Sequence, residues 1–163
     1  MTTKQENILV LRLSNGEVHI ELLPEHAQKH VKRIKQLALD GFYDNCPFHR
    51  VIDGFMAQTG DGKNRDGTGG SDYPNLAAEF NDQAHERGTV SMARTHDPNS
   101  ANSQFFICFD KHPHLDRQYT VFGKVAKGME YIDQLKKGSG HSGSVAEPDC
   151  IQRAYILSDS PED

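Results

Sequence analysis

The apolar positions change period several times along the chain, and each change marks an element. Ile8-Leu9-Val10-Leu11-Arg12-Leu13 is a nearly continuous apolar run, answered by clean alternation with Val18, Ile20 and Leu22 on one face and Glu17, His19 and Glu21 on the other. Asn15-Gly16 between them is a two-residue hairpin signal, so the pair is predicted to be antiparallel with one wet face. Steps of three and four residues then take over at Ala27, Val31, Ile34, Leu37 and Ala38, predicting a helix that opens on Pro24 and Glu25 and closes at Gly41. Short apolar runs return at 89–93, 104–109 and 119–125 and read as strands separated by loops rich in Asn, Asp, Pro and Ser. Met129, Ile132 and Leu135 place a second short helix from Met129 to Lys137, bracketed by Gly128 and Gly138. A Gly/Ser loop at 138–148 and a last strand from Cys150 to Leu157 follow, and residues 1–6 and 158–163 are expected to fray. Many short strands, few helices and no β-α alternation predict a mainly β barrel or sandwich with two accessory helices.

One stretch fits neither plain core nor a solvated loop. Phe48-His49-Arg50-Val51-Ile52-Asp53-Gly54-Phe55-Met56-Ala57-Gln58 sets an always-charged guanidinium, large apolar side chains and an amide within eleven residues, with a bend at Gly54. Such a run suits a site that grips something apolar while hydrogen-bonding a carbonyl or amide.

Composition narrows the function classes. A chain of 163 residues with 25% charged and 36% apolar residues is expected to be a single globular domain. No apolar run approaches the ~20 residues needed to span a bilayer. A net charge of −5 without a Lys/Arg block argues against nucleic acid or an anionic membrane as partner. The N-terminal residues carry neither a signal-peptide apolar core nor an Arg-rich amphipathic pattern, so a cytoplasmic location is expected. Cys46, Cys108 and Cys150 are widely spaced and lack a C-x-x-C pair, which predicts reduced structural thiols. The glycine-rich run Gly60 to Gly70 lacks the spacing of a phosphate loop, and Asp61 and Asp66 lack that of an EF-hand, so a long ordered surface loop is predicted there. His112 and His114 form an H-x-H pair with no further ligand spaced to complete a metal site.

A set of motifs then carries a resemblance that periodicity cannot supply. Phe48-His49-Arg50-Val51-Ile52, Gly54-Phe55-Met56, Gln58, Gly60-Asp61, Gly67-Thr68-Gly69-Gly70, Ser91-Met92-Ala93, Asn102-Ser103-Gln104-Phe105-Phe106-Ile107, Leu115-Asp116 and Val121-Phe122-Gly123-Lys124-Val125 together resemble a cyclophilin. They come in the family's order and spacing and span about residues 8 to 157. The resemblance implies a closed eight-stranded antiparallel β-barrel capped by two α-helices. It also implies peptidyl-prolyl cis-trans isomerase activity on X-Pro bonds of unfolded or flexible polypeptides, assisting protein folding. No bond is broken in that reaction, so no cofactor, nucleophile or metal is expected.

The resemblance also assigns roles by position. Arg50 and Gln58 take the catalytic positions, the first facing the proline amide and the second holding the substrate backbone. Phe55, Met56, Phe106 and Leu115 take the positions of the proline pocket. Ala93, Arg94 and Thr95 match the segment that pairs with an extended substrate, while Gln104, Tyr119 and His114 line the same groove. His49 matches a position that does not carry the reaction and is read as structural. Some positions depart from the family pattern. His114 stands where many relatives have a tryptophan associated with binding cyclosporin, which leaves only weak binding of that drug to be expected. Tyr119 stands where animal members commonly have histidine, Arg94-Thr95 replaces their Asn-Ala, and Arg117 stands where glycine is usual. The pattern is closer to bacterial cytoplasmic members. A monomer is expected, and two function classes fit, an isomerase and a non-catalytic proline-peptide binding module or chaperone; Arg50 favours the first, because an apolar clamp has little use for it.

Overall fold

The chain's alternation is resolved strand by strand in a computed structural model that describes residues 4–159. Strands β1 (Ile8–Leu13) and β2 (Gly16–Leu22) form the expected antiparallel hairpin, with Val18, Ile20 and Leu22 buried. Its turn is Ser14-Asn15 instead of Asn15-Gly16, since Gly16 already pairs with Leu13 and a Cβ there would collide with the Tyr131 ring. Helix α1 (Gln28–Leu39) buries Val31, Ile34, Leu37 and Ala38 as the stripe requires. It starts three residues later than Glu25 because its first turn is capped from far away in sequence: the Glu79 carboxylate accepts the N–H groups of Lys29 and His30 at 3.2 and 2.8 Å.

The stretch around Gly54 is a tight hairpin of β4 (Arg50–Ile52) and β5 (Met56–Thr59), preceded by the short β3 (Cys46–Pro47). Gly54 turns with φ at 74°, a left-handed conformation that glycine adopts freely. Next come β6 (Thr89–Met92), β7 (Phe105–Cys108) and β8 (Val121–Lys127), then α2 (Met129–Asp133), which ends four residues before the predicted Lys137. The last predicted strand is divided into β9 (Cys150–Ile151) and β10 (Arg153–Ile156), because the Gln152 N–H turns aside to bond Arg12 O at 2.8 Å. Of the termini expected to fray, residues 5–7 and 157–159 form short 3-10 turns; residues 1–3 and 160–163 lie outside the described residues.

Eight strands form one antiparallel sheet in the order β10-β1-β2-β8-β6-β7-β5-β4. The expectation of a closed barrel is corrected here: the sheet is a curled half-barrel, whose edge strands β10 and β4 do not pair with each other. The free edge of β4 bonds instead to the 138–145 loop, through Val51 N–H to Gly143 O at 2.9 Å and Gly138 N–H to Val51 O at 2.7 Å, while β3 pairs with β9 in a separate ladder. That loop cannot extend the sheet as a strand because it turns on Gly140 and Gly143, both at positive φ.

Alternation along β5, β6 and β7 divides two apolar clusters. Ala57, Val90, Met92, Phe105 and Ile107 face the main core with Leu9, Leu11, Ile20, Ile34 and Phe122. Met56, Phe106 and Cys108 point to the opposite face and, with Leu115, build a second, smaller cluster. The candidate site lies over that second cluster. No helix among the described residues is long and apolar enough to cross a membrane.

Candidate active site

Strand register brings the central row of the site together. Arg50 on β4 pairs with Gln58 on β5, Gln58 with Phe106 on β7, and Phe106 with Ser91 on β6, so four strands contribute one row of side chains. Met56 and Cys108 pair in the next row. Around these rows a hollow of about 140 Å³ is lined by Arg50, Phe55, Met56, Gln58, Ala93, Arg94, Phe106, Leu115 and Tyr119. Leu115 enters from a 3-10 turn, Pro113–Leu115, which is tied to the 85–88 segment by His112 N–H to His85 O at 2.9 Å.

Hydrogen bonds fix the polar wall. Gln104 Nε2 donates to the carbonyls of Gly67 and Gly69 at 2.8 and 2.9 Å, and since carbonyls only accept, this end of the amide must be the NH₂. Its Oε1 then accepts from Gln58 Nε2 at 2.9 Å, which leaves Gln58 Oε1 to accept from Arg50 Nη1 at 3.1 Å. Arg50 Nε donates to Ser142 O at 2.8 Å, so the guanidinium is held from two sides. None of these partners is a carboxylate, and among the described residues Arg50 has no ion pair.

Other assigned residues sit further out. Thr95 lines a neighbouring polar cavity of about 690 Å³, together with Gln104. His114 is exposed on the rim, its ring tilted against Phe55 at 6.2 Å between centroids. His112 bonds Gly54 O through Nε2 at 3.1 Å and meets Phe55 edge-on, and no group of three His, Cys, Asp or Glu side chains among the described residues is placed to hold a metal ion. Arg117 takes a left-handed backbone with φ at 62°, a conformation natural to the glycine usual at this position.

Two supporting roles escaped sequence reasoning. His85 is fully buried beneath the hollow; its ring stacks on Phe106 at 6.1 Å and meets Tyr119 edge-on at 6.4 Å. Its Nδ1 faces the Asp116 carboxylate at 3.0 Å and must carry the proton, so Nε2 accepts from the Ser91 hydroxyl at 3.0 Å. Burial pushes this imidazole below its usual pKa, with Asp116 opposing, so it is neutral. Asp61 is also fully buried, and the glycine-rich run wraps around it: its carboxylate accepts from the N–H groups of Lys63, Asn64, Asp66, Gly67 and Gly69 at 2.9–3.2 Å. Burial alone would raise this carboxyl, yet the N–H bonds from Gly69, Asn64 and Gly67 hold it down at about 2. The run is thus an anion nest whose anion is its own aspartate, which positions the Gly67 and Gly69 carbonyls for Gln104. No local signal marks His85, whereas Asp61 was visible as part of the Gly60-Asp61 motif and as a failed calcium spacing, but not as the centre of the loop.

Residues 8–156 match the family model described as "Cyclophilin type peptidyl-prolyl cis-trans isomerase/CLD". The chain belongs to the cyclophilins. Among the relatives of this cyclophilin, a Brucella suis protein named "Probable peptidyl-prolyl cis-trans isomerase" is 53% identical over 166 residues, covering 95% of this chain and 85% of its own length. A mouse protein named "Peptidyl-prolyl cis-trans isomerase-like 3" is 43% identical over 135 residues, covering 79% and 81% respectively. Similar solved structures include the Hirschia baltica cyclophilin AquaCyp293, with a TM-score of 0.88 and 29% identity over 99% of this chain and 77% of that one. A Cryptosporidium parvum cyclophilin, solved in the presence of the dipeptide Ala-Pro, has a TM-score of 0.83 and 30% identity over 91% of this chain and 98% of that one. This cyclophilin is a peptidyl-prolyl cis-trans isomerase.

Proposed function

We propose that the chain catalyses X-Pro rotation at the hollow over the second apolar cluster, by stabilising the twisted amide without a covalent intermediate, and so assists protein folding. Rotation about a peptide bond faces ~18–20 kcal/mol because the nitrogen lone pair is delocalised into the carbonyl. Turnover on the order of 10³ s⁻¹ corresponds to a barrier of about 13 kcal/mol, so the enzyme has roughly 5–7 kcal/mol to remove. As the amide twists, its nitrogen becomes pyramidal and regains a lone pair. A cation beside it stabilises the twisted state more than the planar one, and that difference is the catalysis.

The observation that carries this reading is the state of Arg50. Its guanidinium lines the hollow, is held by Ser142 O and Gln58 Oε1, and among the described residues has no carboxylate to neutralise it. Phe55, Met56, Phe106 and Leu115 offer an apolar seat for the proline ring, which excludes water and leaves the contact with Arg50 less screened. Gln58 holds the substrate backbone on one side of the rotating bond. Proline-containing peptides as substrates draw support from the relative solved in the presence of Ala-Pro. A reducing, cytoplasmic location draws support from three unpaired cysteines, one of them the exposed Cys150.

A refolding reaction limited by proline isomerisation tests the proposal. The wild type is expected to accelerate the slow phase and Arg50→Ala to lose most of that acceleration. Equal acceleration by both proteins would refute the role given to Arg50 and favour a binding module.

A further inference from the structure

Arg94 sits where two cavities meet. One is the hollow of about 140 Å³; the other is the polar cavity of about 690 Å³ bounded by the 63–71 and 95–104 loops. Gln58, Ala93 and Arg94 line both, so an extended chain leaving the hollow, at about 3.3–3.6 Å per residue, passes Arg94 within its next residue or two.

The guanidinium is fixed in place. Nε and Nη2 both donate to Gln118 O, at 3.1 and 2.6 Å, Nη1 donates to Thr95 O at 2.8 Å, and one face lies 4.7 Å from the centre of the Tyr119 ring. Nη1 also reaches His96 O at 3.4 Å, so every partner is neutral. Among the described residues no carboxylate lies within 4.0 Å of Arg94. The other charged side chains lining the larger cavity are Lys63, paired with Asp72 at 3.4 Å, and Asp97, whose carboxylate accepts the Asn99 N–H at 2.9 Å. No acidic side chain among the described residues lines the hollow. A protein with a net charge of −5 therefore holds an immobilised, unneutralised cation at the junction of its groove.

Such a cation suits one class of ligand. Its rotamer freedom is already spent on the carbonyls and on Tyr119, and one of the two Nη2 N–H donors has no partner among the described residues, so a carboxylate arriving there gains a charge-assisted bond at little entropic cost. We propose that Arg94 is a specificity-determining residue, which selects X-Pro peptides carrying an acidic side chain within two residues of the proline. The inference rests on the hollow being the proline site and adds a substrate class to it.

The test is a set of peptides in which Glu, Gln, Ala or Lys occupies, in turn, each position within two residues of a single proline. Isomerisation kcat/KM is measured at low and high salt on wild type, Arg94→Lys and Arg94→Gln. At one position the wild type is expected to favour Glu over Gln by about three- to fivefold, the range of a partly exposed ion pair, and to rank Lys below Ala. High salt shrinks the preference, Arg94→Lys retains part of it, and Arg94→Gln brings the Glu-to-Gln ratio to about one. A wild-type ratio of one at every position, or a preference unchanged in Arg94→Gln, would overturn the proposal. The wild-type ratio needs no variant, so a variant that fails to fold shields nothing. Turnover of the Ala peptide without a Glu preference overturns the specificity alone; no turnover of any peptide overturns the proline site itself.

Discussion

Replacing the amide nitrogen of Gln104 by oxygen separates the polarity of the Arg50–Gln58–Gln104 chain from its shape. In Gln104→Glu the side chain keeps its volume and can still accept from Gln58 Nε2. A carboxylate oxygen, however, now faces Gly67 O and Gly69 O, to which Nε2 donates at 2.8 and 2.9 Å. Two hydrogen bonds of about 1 kcal/mol each are lost, and each is replaced by repulsion between oxygens. Gln104 is half-buried and borders the open cavity of about 690 Å³, so water relieves part of the penalty and a loss of about 2–3 kcal/mol at pH 7.5 is expected. Gln104→Leu loses these two bonds and the acceptor for Gln58 Nε2 as well, but without the repulsion, and with the freed groups open to water along the same cavity it is expected to cost about 1–2 kcal/mol. The order is diagnostic. Relative to wild type, Gln104→Glu should be the less stable variant at pH 7.5 and should recover on acidification, because a protonated carboxyl can again donate to one carbonyl. Gln104→Leu also frees the Gln58 amide, whose Nε2 loses its acceptor, so kcat/KM should fall by roughly two- to tenfold in that variant, the worth of one hydrogen bond, and by less in Gln104→Glu, where the acceptor is kept. Urea unfolding at pH 5 and 7.5, with peptide isomerisation on the same preparations, reads both effects. A Gln104→Glu protein as stable as Gln104→Leu at pH 7.5, with no gain in acid, would refute the fixed polarity of the chain.

Three further outcomes follow from buried titrating groups and the groove rim. Asp61→Asn leaves an NH₂ facing backbone N–H groups and should cost about 2–4 kcal/mol; because the wild-type carboxyl is held at about 2, its contribution is present above pH ~4, and the gap in urea midpoints should narrow as pH falls below that. Burial holds the His30, His49 and His85 imidazoles below their usual pKa, so the unfolded chain takes up protons near pH 6.5 that the folded chain refuses. Stability should be full above that pH and fall below it, with a slope of up to about 1.4 kcal/mol per pH unit for each proton; a melting temperature that is flat or rising from pH 7.5 to 5.5 would contradict this. His114→Trp restores an indole face and N–H donor beside Phe55 and should tighten cyclosporin binding by about tenfold in a fluorescence titration, while unchanged affinity would show that the rim residue does not limit it.

What was legible in the sequence was whatever local periodicity controls. The β1-β2 hairpin follows from Val18, Ile20 and Leu22 alternating after a turn, and α1 from its single stripe, because each element buries one face against the core. The start of α1 was not legible, since Glu79 caps it from some fifty residues away and local Pro-Glu signals point to the wrong turn. Nor was the open seam of the sheet, which depends on Val51 bonding a glycine-bent loop instead of β10. The motif around Arg50 was visible as a chemical oddity, whereas its pocket was not, because Phe106 and Leu115 reach it only through strand register and a distant 3-10 turn. The resemblance supplied that grouping. His85 stayed invisible because nothing local marks a histidine whose partners, Ser91, Asp116 and Phe106, are set by the fold.

The division of labour at Arg50 is tested most directly by measuring binding and on-enzyme rotation separately. NMR exchange on an Ala-Pro peptide gives both Kd and the cis-trans rate of the bound peptide for wild type and Arg50→Ala. If Arg50 acts on the twisted amide, its removal should leave Kd within about threefold and slow the bound exchange by about 10²-fold or more, the scale of losing a preorganised electrostatic donor. A variant whose bound exchange matches wild type while only Kd rises would contradict the claim and make Arg50 a binding residue.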